Sequence, residues 1–182
     1  SNKLKISEDE VFSYVYGMLH SLEYRNKYSN ELRKDLPRIP IVSNYREFIL
    51  IGEQLIDLHI NYEEIAPLDE ISLIMSDAPS YQVKKMKYLS RNDKSTIIYN
   101  SDIKITNIPE KAYEYIVNGK PAIQWIMEQY SVPNKTNSGN IDDPNTYSAE
   151  QTYVLDLLLS VISLSVKTVD LVKALPTLEI IE

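Results

Sequence analysis

Cysteine is absent from the 182 residues, so no disulfide framework, thiolate metal site or cysteine nucleophile is available. Only two histidines occur, His20 and His59, which excludes a histidine-rich metal site. Four glycines are too few for a glycine-rich phosphate cradle. Long hydrophobic runs are missing too. The longest uncharged apolar stretch, Leu157–Val166, lies between Asp156 and Lys167 and contains three serines. It is about half of the ~20 residues that span a bilayer. The N-terminus has no basic region followed by an apolar core. These absences argue against most enzyme classes and against a membrane helix, and they suggest a cytoplasmic protein. The chain begins Ser1-Asn2 without an initiator Met, which reads as a cleavage scar on an excised fragment, with residues 3–182 forming a single domain.

What is present is ordinary for a globular domain: 43% apolar and 25% charged residues, enough to exclude wholesale disorder. The net charge is −7, unlike a uniformly basic nucleic-acid binder. The charge is uneven, however. Residues 41–80 hold one basic side chain against eight acidic ones, residues 81–139 hold nine against five, and residues 140–182 hold two against seven. A local basic surface is therefore compatible with an acidic total.

The pattern predicts an α+β fold, with N- and C-terminal helices packed with a small central, mainly antiparallel sheet. Ser7 and Glu10 form an S-x-x-E capping box ahead of a helix over 7–20. A broken helix follows over 22–35. The prolines in Leu36-Pro37-Arg38-Ile39-Pro40 force extended backbone. A third helix covers 44–62, with Phe48, Ile51, Leu55, Leu58 and Tyr62 at helical spacing. Residues 71–75, 81–89, 95–100 and 103–108 read as strands, joined by turns at 91–94 and 100–102. Strands that cluster, without alternating with helices, disfavour a doubly wound sheet. Pro109 opens a predicted helix over 110–118 that Gly119 ends, Pro121 opens another to Tyr130, and 131–148 reads as a long polar loop. The last helix, about 148–174, carries two apolar stripes. One is Leu157, Val161, Leu164, Leu171 and Leu175; the other is Leu158, Ile162, Val169 and Val172. One stripe suffices for a surface helix. The second either packs internally or seats upstream domains of a parent protein.

Catalytic patterns are not found. The histidines lack ligands at helical spacing, and packing or helix-end hydrogen bonding is the plain reading. Ser21 with His59 has no nucleophile-elbow glycines around it. Gly119-Lys120 lacks the rest of a phosphate loop. Asp143-Pro144-Asn145-Thr146-Tyr147 is faintly like an adenine methyltransferase motif, but it lacks the second Pro and a preceding buried strand, and reads as a turn leading into a helix. Asp142 and Asp143 read as solvated carboxylates. The one positive signal is Lys84, Lys85, Lys87, Arg91, Asn92 and Lys94, interleaved with Tyr81, Tyr88, Ser95 and Thr96. Lys and Arg contact phosphates, while Arg and Asn pair with base edges. The competing reading is a solvated hairpin whose lysines protect a strand edge.

Several separate motifs, in order, resemble one family. Asp9-Glu10-Val11-Phe12, then Tyr16-Gly17-Met18-Leu19-His20-Ser21 and Glu23-Tyr24-Arg25, resemble its "VF-Y-YG-LHS-EYR" opening. Leu36-Pro37-Arg38-Ile39-Pro40 matches L-P-R-I-P, and Leu55, Leu58 and His59 to Tyr62 match "L-DLH-NYE". Thr96-Ile97-Ile98-Tyr99-Asn100, Ile108-Pro109, Tyr113 to Gly119, and Trp125-Ile126 continue the series. The family is the C-terminal specificity domain of type ISP restriction–modification enzymes, often labelled helicases. The resemblance spans roughly residues 8–175. At "NDPN-W" this chain departs from the family, with Asp142 and Tyr147 in place of Asn and Trp.

The resemblance implies a target-recognition domain within a polypeptide that also carries a nuclease, an ATP-driven translocase and an adenine methyltransferase. Its partners would be double-stranded DNA and the upstream methyltransferase and helicase domains. ATP, Mg2+ and S-adenosylmethionine would serve the parent, with no cofactor and no catalytic residue in this chain. The LHS, LPRIP and LHINYE motifs read as structural. A rival reading is an interaction module that couples motor to methyltransferase without reading DNA; a free-standing enzyme is the third.

Overall fold

A computed structural model describes residues 6–34, 36–132, 134–135 and 141–181, with only the backbone described at 134, 135 and 141. Ser1 and Asn2, read as a scar from the sequence, lie outside the described residues. The architecture is α+β: five α-helices, a four-stranded antiparallel sheet and two small two-stranded pairs among the described residues. The chain divides into two compact units, residues 1–61 with 170–182, and residues 62–169.

The first unit is helical. Helix α1 (Glu8–His20) starts as its sequence predicts: the Ser7 hydroxyl accepts from the Glu10 N–H, and the Glu10 carboxylate accepts from the Ser7 N–H. Ser21 then caps the short α2 (Leu22–Lys27) by accepting from the Tyr24 N–H. The predicted helix over 22–35 is shorter than expected, because residues 28–34 continue as turns. The Pro-bounded segment 36–40 is non-helical, and two tyrosines from the helices hold it: Tyr14 Oη donates to the Pro40 carbonyl at 2.6 Å and Tyr24 Oη to the Arg38 carbonyl at 2.9 Å. Helix α3 (Tyr45–Ile60) buries Phe48, Ile49 and Leu55. It meets α1 where Gly17 faces Gly52. A methyl group on Gly17 would lie 2.5 Å from the Phe48 carbonyl oxygen, and one on Gly52 would run into the Ser13 carbonyl. Only glycine permits this approach of two backbones. Tyr14, Met18, Tyr24, Val42, Phe48 and Ile49 form the core of the unit.

The second unit holds the sheet. Strands β1 (Ser72–Met75), β2 (Lys87–Tyr88), β3 (Ile97–Ile98) and β4 (Ile103–Thr106) assemble in the order β1-β4-β3-β2, all antiparallel. Register sorts the side chains by face. Tyr88, Ile97, Ile105 and Leu73 form one row toward the core, where Ile97 and Ile105 are fully buried. Lys87, Ile98, Lys104 and Ile74 form the neighbouring row on the opposite face.

Two sequence expectations need correction here, and the double stripe of the last helix takes the internal-packing alternative over most of its length. The helix predicted over 110–118 is a single 3-10 turn (Glu110–Tyr113) followed by a hairpin, β5 (Ile116–Val117) and β6 (Lys120–Pro121). Asn118 and Gly119 between them have φ of 48° and 85°. Two left-handed residues make a primed two-residue turn, whose twist matches antiparallel strands. The strand predicted over 81–89 shrinks to β2. In α5 (Tyr153–Ala174) every residue from Leu157 to Val166 is buried, and Val169 too, while Leu171, Val172 and Leu175 are half-buried. Both apolar stripes are therefore covered within the chain from Leu157 to Val169, and their C-terminal members Leu171, Val172 and Leu175 are covered in part. A helix apolar all round is a core helix.

Helix α4 (Ala122–Gln129) follows β6, and the polar stretch beyond it contains a short pair, β7 (Asn134–Lys135) with β8 (Ile141–Asp142), and a 3-10 turn (Pro144–Thr146). No helix among the described residues is long and apolar enough to cross a membrane.

Candidate nucleic-acid interface

The basic cluster belongs to the second unit, and its backbone is built by side chains instead of a strand ladder. Four consecutive residues are each held from elsewhere. The Asn100 amide donates to the Ser80 carbonyl at 2.7 Å and to the Gln82 carbonyl at 2.9 Å. Tyr99 Oη donates to the Tyr81 carbonyl at 3.0 Å. Asn145 clamps Val83 from both sides, accepting from its N–H at 2.7 Å and donating to its carbonyl at 3.2 Å. Further along, the Met86 N–H donates to Ser131 Oγ. With these backbone groups satisfied by side chains, the segment 80–86 stays irregular and unpaired. That is why the predicted strand begins only at Lys87.

Val83 and Met86 turn into the core, so Lys84 and Lys85 between them stand exposed on a crest. Lys87 follows on the edge strand, and Arg91 and Asn92 are exposed in the connection between β2 and β3. None of Lys84, Lys85, Lys87 and Arg91 forms an ion pair among the described residues. Lys94 differs. Its ammonium lies 5.5 Å from the ring centroids of both Tyr88 and Tyr113. Its carbonyl accepts from Tyr113 Oη at 2.7 Å. Burial pushes the Tyr113 phenol well above its ordinary value, so it remains a donor. Lys94 thus anchors the loop end, while Asp93 braces the turn by accepting from the Ser95 N–H and hydroxyl.

One basic residue escaped the sequence reading. Lys104 shares the outer row with Lys87, two strands away, roughly 10 Å at ordinary strand spacing. The alternation Ile103-Lys104-Ile105 was its signal: with both isoleucines buried, the lysine must face out.

The Asp143-Pro144-Asn145 stretch is structural, as its reading as a turn requires. Asp143 Oδ1 accepts from both the N–H and the side-chain amide of Asn145, aiming that amide at Val83. Tyr147 Oη donates to Asp142 at 2.6 Å, and this bond to a carboxylate is the main reason its phenol is pushed up to about 12. The part of the polar loop at 136–140 lies outside the described residues. Replacing Asn145 by alanine is expected to strip Val83 of two partners and cost about 2 kcal/mol. A urea melt monitored by circular dichroism checks it; an unchanged midpoint would show that water or relaxation replaces the clamp.

The first unit gathers the two histidines, which sequence distance concealed. Their rings lie 5.6 Å apart, around Tyr16. Tyr16 Oη is 2.7 Å from His59 Nδ1, and His20 Nδ1 is 2.8 Å from the Tyr16 carbonyl. Burial, with a smaller contribution from the neighbouring His20, holds His59 down at about 4, and burial also lowers His20. Both are neutral packing groups at neutral pH. Among the described residues no three metal-ligating side chains gather. Ser21 is spent as a helix cap, and Lys120 pairs with Glu128 at 2.6 Å beneath the hairpin turn.

Against known proteins, residues 1–157 match the model of the Type ISP C-terminal specificity domain. Among curated proteins none matches the chain. A solved structure of a nuclease-deletion mutant of the Type ISP restriction-modification enzyme LlaGI, in complex with a DNA substrate mimic, is 50% identical with a TM-score of 0.91, covering 98% of this chain and 14% of that one. The ATP-dependent Type ISP enzyme LlaBIII bound to DNA is 47% identical with a TM-score of 0.91, covering 97% of this chain and 12% of that one. A DrdV–DNA complex is 27% identical with a TM-score of 0.79, covering 94% of this chain and 18% of that one. The chain spans less than a fifth of each of these relatives. With its family model matched over most of its length, and two homologues near half identity sharing its fold, the chain belongs to the Type ISP C-terminal specificity domain family.

Proposed function

We propose that this chain recognises a specific duplex DNA sequence and directs cleavage and adenine methylation performed by other domains of a cytoplasmic type ISP restriction–modification enzyme. The observation that carries the reading is its near-complete alignment with two type ISP enzymes solved with DNA or a DNA mimic. The chemistry of the second unit supports it. Lys84, Lys85, Lys87 and Lys104 stand exposed without carboxylate partners among the described residues, as phosphate contacts require. Arg91 and Asn92 extend the same stretch of chain. Residues 3–182 act as one recognition domain in this reading and carry no catalytic residue. ATP, Mg2+ and S-adenosylmethionine act on the upstream methyltransferase and helicase domains.

The test compares the intact enzyme with a version lacking this domain, on target and scrambled duplexes. The expected result is loss of the difference between the two duplexes when the domain is removed. Retained discrimination would favour the rival in which the domain only couples motor to methyltransferase.

A further inference from the structure

The segment that carries the lysines also forms one wall of a polar cleft of about 510 Å3 in the second unit. Ser80, Tyr81 and Gln82 line one side, and Asn145, Ser148 and Gln151 the other. No charged side chain lines it among the described residues. The two walls are tied to each other, because Asn145 of one grips Val83 of the other. The first wall is fixed residue by residue through Asn100, Tyr99 and the Asp102 carboxylate, which accepts from the Ser80 N–H. The polar groups of the cleft thus divide in two, with the half-buried Tyr81 hydroxyl, which makes no hydrogen bond among the described residues, standing beside the free amides. Asn145 is spent on the backbone, and the Ser80 and Ser148 hydroxyls accept from the Gln82 and Glu150 N–H groups. The side-chain amides of Gln82 and Gln151 are exposed and make no hydrogen bond among the described residues.

The two amides thus stand on a braced frame with donor and acceptor free for a ligand. Loop glutamines cost rotamer entropy when they bind, and a fixed backbone limits that loss. A planar amide offers a donor and an acceptor side by side, the complement of the N6 and N7 edge of adenine in the major groove. An uncharged lining suits a base edge, and Lys84 and Lys85 follow Gln82 in sequence, where phosphate contacts would set the register.

We propose that this cleft is the base-reading site of the domain, with Gln82 and Gln151 each reading the major-groove edge of an A·T pair. The proposal rests on DNA recognition as the function and assigns its specificity to two residues.

The experiment is selection from a randomised duplex library by the intact enzyme, followed by sequencing. Gln82→Ala and Gln151→Ala are each expected to relax one position of the selected motif by roughly 5- to 150-fold, leaving affinity for scrambled duplex unchanged. Gln82→Glu adds a readout that misfolding cannot mimic. A carboxylate accepts from cytosine N4, so preference at the same position is expected to move from adenine to cytosine. If the wild type selects a motif that all three variants retain, the cleft assignment is overturned and DNA recognition stands. A uniform loss of binding with unchanged preference overturns it as well. If the wild type selects no motif, both readings fall.

Discussion

Gly52→Ala is expected to destabilise the helical unit by roughly 3 kcal/mol, a large part of the 5–15 kcal/mol that holds a domain together. Propensity predicts the opposite sign, since alanine in place of glycine within a helix gains about 1 kcal/mol. Sterics decide it. The added methyl group would meet the Ser13 carbonyl oxygen and come 2.7 Å from the Ser13 carbonyl carbon. These are backbone atoms of α1, which cannot rotate away as a flexible side chain would. The helices must separate, and separation loosens Tyr14 against Phe48, whose rings lie 6.1 Å apart nearly edge to face. Gly17→Ala forces the same two helices apart through a different atom, the Phe48 carbonyl oxygen, so the double substitution is expected to cost less than the sum. Chemical denaturation followed by circular dichroism gives the answer. A Gly52→Ala protein with an unchanged midpoint would show that α1 and α3 do not cross there.

Local chemistry was legible in the sequence, and contacts between distant residues were not. Ser7 with Glu10 and the prolines at 37 and 40 announce their conformations because each acts within a few residues. The sheet was readable from its Ile-, Val- and Tyr-rich runs and its turns. The Asn118-Gly119 hairpin carried its own signal, the strongest short one for a primed turn, but glycine after a helix-like stretch also reads as a C-cap. Flanking Ile116 and Val117, both β-branched, favour the hairpin. The unpaired course of residues 80–86 was invisible for a different reason. Its hydrogen-bond partners come from Tyr99, Asn100, Ser131 and Asn145, and nothing in the segment itself names them. The same holds for the facing of Gly17 and Gly52 and for the meeting of His20 with His59. For the candidate interface, sequence located the basic stretch. It could not separate Lys94, held on two aromatic rings, from Lys84 and Lys85 on the open crest.

That separation yields the second large expected effect. Replacing Lys84, Lys85, Lys87 and Lys104 together by alanine is expected to lower the slope of log affinity against log salt by about 3.6, at ~0.9 per phosphate contact. Between 50 and 200 mM salt, that slope corresponds to roughly 150-fold of affinity. Lys94 is left in place because its removal would disturb the packing of Tyr88 and Tyr113 and confuse folding with binding. The four substituted side chains are exposed, so each change should alter stability by no more than about 0.5 kcal/mol. The overall charge of −7 makes the contrast sharper, since the acidic remainder of the chain repels phosphate and cannot substitute for the lost contacts. By the same argument the chain on its own should bind duplex weakly and lose that binding steeply as salt rises. The measurement is a salt titration of duplex binding by the intact enzyme and its quadruple variant, on target and scrambled sequences. Phosphate contacts carry no base information, so both duplexes should weaken alike while the preferred sequence stays the same. An unchanged slope would place the phosphate-binding surface elsewhere, with the polar segment 134–146 the next to test.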